Sequence, residues 1–142
     1  TAPYMAEIQK FINENEMESQ VKFLSNIPEA DLAALYQTAI FSVYISVFEG
    51  FGLPVIESMA CGCPVITSSV SVLPETAGDA AVLCNPAKVE EIAQKVALLL
   101  ENEPFRKEIT EKGKQRATLF HPENYAQKLI SLYTEILNRK HA

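Results

Sequence analysis

Ser46-Val47-Phe48-Glu49-Gly50-Phe51-Gly52-Leu53-Pro54-Val55-Ile56-Glu57-Ser58-Met59-Ala60-Cys61-Gly62-Cys63-Pro64-Val65-Ile66-Thr67-Ser68 is the stretch that decides the fold. Just before it and into its first residue, Phe41 to Ser46 is rich in β-branched and aromatic residues, which predicts a buried strand. Gly50 and Gly52 then make a flexible turn, and Pro54 suits the first position of a helix running to about Ala60. Gly62 ends that helix, and Pro64 to Thr67 reads as the next strand. Strand, turn, helix and strand in this order form a unit of parallel pairing.

The same alternation continues on both sides. Upstream, Tyr4, Ile8, Phe11 and Ile12 mark one face of a helix, and Val21 to Leu24 is a short strand candidate. Pro28 and Glu29 open a further helix carrying Leu32, Leu35 and Tyr36. Downstream, a polar loop from Ser68 to Ser71 leads to Leu73-Pro74-Glu75-Thr76, a single helical turn, and Ala80 to Leu83 is the last strand candidate. Three helices follow. Val89, Ile92, Val96, Leu99 and Leu100 mark the first, the second runs roughly from Phe105 to Leu119, and Tyr125, Leu129, Leu132, Tyr133 and Ile136 mark the third. Strands alternating with helices predict an α/β fold, a Rossmann-like parallel sheet flanked by helices.

Composition narrows the function. The chain has 142 residues, 48% of them hydrophobic and 21% charged, values of an ordinary globular domain. The net charge of −6 and the lack of a basic run give no electrostatic support to nucleic-acid binding or to an anionic lipid patch. The three Cys read as small buried residues in a reducing compartment, so a cytoplasmic location is expected, with membrane association only through segments outside this chain. His121 and His141 lie far from the Cys, which argues against a metal site. His121-Pro122 reads as a helix-entry turn, and Ser68, Ser69 and Ser71 as loop hydrogen-bonders without a His and Asp constellation. The Tyr125 and Tyr133 stripe reads as core or interdomain packing.

The chemistry concentrates between Glu49 and Glu57. The first N–H groups of a helix have no partner inside it, and the helix dipole adds positive potential, so the turn after Gly50 suits a phosphate. Gly50 and Gly52 let backbone approach a ligand closely. It lies at the carboxyl end of a strand, where open α/β sheets bind ligands. Glu49 before the turn and Glu57 within the helix are good acceptors for sugar or ribose hydroxyls. These residues alone admit a second reading of equal weight. Glu near a helix start simply favours the dipole, and Gly50-Phe51-Gly52 is then an ordinary tight turn.

The block from Glu49 to Ser68 resembles the E-x7-E signature region of the family 4, or group 1, retaining glycosyltransferases. Leu73-Pro74-Glu75 with Gly78-Asp79-Ala80-Ala81 is similar to a second stretch of that family, and Val21 to Tyr36 to a third. The resemblance implies the C-terminal, nucleotide-sugar-binding domain of a two-domain GT-B fold. It implies transfer of a sugar from a nucleoside-diphosphate-sugar donor with retained anomeric configuration, and neither metal nor cofactor. Carried over by position, Glu49 would contact the donor sugar near the reacting carbon. Gly50 would begin the donor turn, and Phe51, Gly52 and Leu53 would offer backbone N–H groups to sugar hydroxyls or diphosphate. Glu57 would hold the ribose hydroxyls, and Ile27 would meet the base through its backbone. Polysaccharide assembly is the setting that the family suggests.

Two departures qualify the expectation. Many relatives have Gly-Gly where this chain has Ser71 and Val72. The family's first two strands of this domain, with an Arg and a Lys that grip the diphosphate, and its N-terminal acceptor domain have no counterpart here. Residues 1–142 are therefore expected to be a partial donor domain, cut from something longer and inactive alone. Its strand edges at Val21–Leu24 and Phe41–Ile45 are expected to pair with another copy. The Gly52→Val change is expected to exclude donor while leaving the fold largely intact. Other readings are an epimerase or phosphorylase on the same scaffold, or a nucleotide-sugar-binding module without turnover. Assay of the complete protein for transfer, donor hydrolysis and epimerisation separates them.

Overall fold

The computed structural model describes residues 3–139. The chain forms two compact units, Thr1–Asp31 and Leu32–Ala142. The first holds helix α1 (Pro3–Glu14), on which Ile12 is buried while Tyr4 and Phe11 are exposed. Helix α2 (Glu29–Thr38) spans the boundary, with Glu29 and Asp31 in its first turn, where they favour the dipole.

The second unit is built on a three-stranded parallel sheet in the order β1-β2-β3: β1 (Ser42–Tyr44), β2 (Val65–Ser68) and β3 (Val82–Cys84). Ser42 stands opposite Val65, and Ile66 opposite Val82. Between the strands run α3 (Leu53–Ala60) and α4 (Leu73–Ala77). Helices α5 (Val89–Glu101), α6 (Glu103–Thr118) and α7 (Pro122–Arg139) follow. The α/β parallel architecture read from the sequence is the one observed.

Strand β2 is buried along its whole length, so its alternating side chains feed two separate cores. Val65 packs with Val55 and Met59 of α3 and with Leu73 and Ala77 of α4. Ile66 packs with Val82, Cys84, Leu99 and Ile109. Helix α6 reaches both cores, through Ile109 and Phe105 on one side and Ala117 on the other. It approaches α3 closely at Gly113, where an added Cβ would stand 3.3 Å from Met59 Cγ. Gly62 follows α3 in the left-handed region, at φ 76°, as the helix end requires.

Several expectations are corrected. Residues 21–24 form no strand; Phe23 and Leu24 are exposed. Their composition is strand-like, but a strand exists only within a ladder, and among the described residues no strand pairs with them. The segment from Phe41 to Ser46 contributes three strand residues and is half-buried except at exposed Val43, because among the described residues β1 has a strand neighbour on one side only. The apolar residues of α7 are mostly exposed, Tyr125 and Tyr133 included, so this stripe is not core of the described chain. All three Cys are free; Cys63 and Cys84 are buried, and Cys61 is half-buried. Burial pushes the Cys63 and Cys84 thiols up from their ordinary range.

Candidate functional site

At the carboxyl ends of β1 and β2, short polar bonds stitch the loops together. Thr67 donates its hydroxyl to the Tyr44 carbonyl at 2.8 Å, and Ser68 Oγ accepts the Ser46 N–H at 2.9 Å. These bonds fix where β1 releases the chain toward Glu49.

Glu49 is held from both ends. Its Oε1 accepts a hydrogen bond from the Tyr44 hydroxyl, and its N–H donates to Ser71 Oγ at 3.2 Å. The Ser71 hydroxyl in turn donates to the Glu49 carbonyl at 3.1 Å. One hydroxyl can do both because it carries a donor and acceptor lone pairs. Ser71 takes φ 60°, a left-handed conformation rare outside glycine. Where many relatives have glycine, Ser71 thus adopts a glycine-like conformation and clasps Glu49. The Tyr44 hydroxyl titrates above its usual range, first because it donates to the Glu49 carboxylate, then through burial and that carboxylate's charge.

The turn after Glu49 sets Gly50, Phe51 and Gly52 at the start of α3. Gly50 faces open space, with no atom within 4 Å of an added Cβ. Gly52 is the opposite case. It caps α3 at φ 87°, and a Cβ there would stand 2.5 Å from Leu73 Cδ2. Its glycine is demanded by the fold as well as by any ligand, so the expectation that Gly52→Val spares the fold is corrected. The Gly52 carbonyl accepts the Val55 N–H at 3.0 Å, the first bond of the helix. Among the described residues, the N–H groups of Phe51, Gly52 and Leu53 meet no protein acceptor. They form the donor group that a helix start offers to an anion. Pro54 stands in the first helical turn, where its missing N–H is not needed.

Glu57 projects from α3 on the side away from the core, whose buried positions are Val55, Ser58 and Met59. Its charge reaches the Tyr36 hydroxyl, which burial chiefly, and then Glu57, pushes up. Tyr36 also acts on Tyr44, the partner of Glu49. Each carboxylate thus raises a tyrosine hydroxyl, Glu49 that of Tyr44 and Glu57 that of Tyr36. Ile27, half-buried, follows Asn26 at φ 53° and belongs to the first unit, whereas the other six predicted residues belong to the second.

Sequence reading missed Tyr44, Thr76, Arg116 and Phe120, and placed Ser71 only as a loop hydrogen-bonder. Tyr44 and Ser71 sit next to recognised blocks, and a polar side chain at a strand end is a usable signal. Arg116 lies forty residues from its partner Thr76, and nothing local marks it. Among the described residues, no group of three or more His, Cys, Asp or Glu is placed to hold a metal ion.

Residues 2–116 match the family model described as glycosyl transferases group 1. The O-antigen chain mannosyltransferase B of Escherichia coli is 36% identical over 124 residues, 87% of this chain and 32% of that protein. The chain thus spans about a third of that relative's length. Sucrose-phosphate synthase from Thermosynechococcus elongatus superposes with TM-score 0.78 at 29% identity, over 94% of this chain and 34% of that one. Anabaena Alr3699/HepE, solved in complex with UDP and glucose, has the same fold, with TM-score 0.77 at 23% identity over 90% of this chain and 36% of that one.

Proposed function

Because the chain belongs to the group 1 glycosyl transferases, we propose that it supplies most of the donor site of a retaining enzyme. That enzyme moves a sugar from a nucleoside-diphosphate-sugar to an acceptor hydroxyl. The transferred sugar is mannose and the acceptor a growing polysaccharide, a choice supported by the name of the Escherichia coli relative. The observation that carries the reading is the arrangement of Glu49, clasped by Tyr44 and Ser71, directly before the unpaired N–H groups at the start of α3.

In this reading the diphosphate lies against the N–H groups of Phe51, Gly52 and Leu53. They hold the negative charge of the diphosphate in the bound donor and throughout cleavage of its bond to the sugar. Glu49 accepts a sugar hydroxyl near the anomeric carbon, and Tyr44 keeps its carboxylate from swinging away. Glu57 accepts the ribose hydroxyls. No metal and no cofactor take part. The reaction takes place in the cytoplasm, a reducing compartment that suits three free Cys. The short β1 edge offers pairing to a second copy, which light scattering across a concentration series would reveal as a dimer.

The test is to incubate the full-length protein with nucleoside-diphosphate-mannose and an oligomannose acceptor, and to read the product by NMR. The expected product is a mannoside with the donor's anomeric configuration. An inverted linkage contradicts retention, and a product formed from glucose donor alone contradicts the choice of sugar. Absence of any transfer contradicts the enzyme reading.

A further inference from the structure

A second set of side chains closes a circuit around the turn at residues 50–53. Thr76, 2% exposed on α4, donates its hydroxyl to the Phe51 carbonyl at 2.6 Å. The carbonyls of Thr76 and Glu75 accept from Arg116, the former from Nε at 3.0 Å and the latter from Nη2. Arg116 arrives from the last turn of α6, and its guanidinium lies over the Phe120 ring, 5.3 Å from the centroid. Phe120 meets the Phe51 ring edge to face, with centroids 5.5 Å apart and planes at 79°. Gly78, at φ 60°, makes room, since a Cβ there would stand 3.3 Å from the guanidinium.

Phe51 is therefore held at its carbonyl by Thr76 and at its ring by Phe120, and Arg116 orders both. The Phe51 carbonyl and the Gly52 N–H belong to one planar trans peptide, so fixing the first aims the second in the opposite direction. A planar fork of donors suits two neighbouring carbonyls in a way an ammonium does not. We propose that Arg116 is a positioning residue for the donor turn. Through Thr76 and Phe120 it aims the unpaired N–H groups at the start of α3 toward the diphosphate of the nucleotide sugar. The inference rests on the donor-site reading above.

Two measurements test it. In this chain without ligand, 15N relaxation reads the motion of the Gly52 N–H. It is expected to be rigid, with an order parameter of about 0.85, and to fall below about 0.6 in Arg116→Ala. Thr76→Val, nearly isosteric and confined to one bond, is expected to loosen it in the same direction. In the full-length protein, aiming a group that binds ground and transition states alike should appear in KM for the donor rather than in kcat. The expected rise is about tenfold in Arg116→Ala and Thr76→Val. Arg116→Lys should fall between wild type and alanine. Unchanged Gly52 motion and a donor KM within about twofold of wild type in Thr76→Val would overturn the inference, even if both variants melt earlier. A wild-type protein that binds no nucleotide sugar would overturn the donor reading, while the ligand-free relaxation still judges the circuit by itself.

Discussion

Glu49 and Glu57 look alike in the sequence and differ in the structure. Glu49 is half-buried and clasped, whereas Glu57 is exposed on α3. Their removal is expected to have different consequences. Glu57→Ala in the full-length enzyme should weaken donor binding by about 1.5–3 kcal/mol, the loss of one charged hydrogen-bond partner, with kcat little changed. Glu49→Ala should depress kcat, because the proposed function sets it beside the reacting carbon. Steady-state kinetics with varied donor separate the two, and near-normal constants in both variants would refute the assignment. The two glycines divide in the same way. Gly50→Ala should leave the thermal midpoint unchanged and reduce donor affinity, since its Cβ would enter only open space. Gly52→Ala should cost about 2 kcal/mol or more of stability, from its positive φ and the overlap with Leu73. Denaturant melts of both variants check this. Both glycines were legible as a turn. Which of them the fold itself requires was not, because Leu73 comes from another element.

Helix ends show what local chemistry reveals. Asn102 caps α6, its Oδ1 accepting the Phe105 N–H at 3.0 Å, with a proline in the first turn. Reading the helix from Phe105 overlooked this cap, although Asn102 before Pro104 is a start signal. Asn102→Ala is expected to cost about 1 kcal/mol and Asn102→Asp almost nothing, as measured by urea unfolding. The strands were less legible than the helices. Val21 to Leu24 carries strand-forming residues, yet whether they form one depends on neighbours that the segment itself does not encode. For β2 the run read from Pro64 to Thr67 falls within one residue of the observed Val65–Ser68, because a strand buried on both faces announces itself by composition.

Taken as one chain, the α/β order and the turn between Glu49 and Glu57 were readable, because strand, glycine turn and helix follow one another without interruption. The circuit through Arg116 and the Ser71 clasp on Glu49 were not, since each joins residues that only folding brings together. The chain spans about a third of its mannosyltransferase relative, and the turn between Glu49 and Glu57 lies within that third. Amide NMR on the 142-residue chain, titrated with nucleoside-diphosphate-mannose at millimolar concentration, asks whether that turn binds the diphosphate. The N–H signals of Phe51, Gly52 and Leu53 are expected to move most, with a downfield shift as they take up phosphate oxygens. Shifts clustered elsewhere on the chain, with those three signals unmoved, would contradict the assignment.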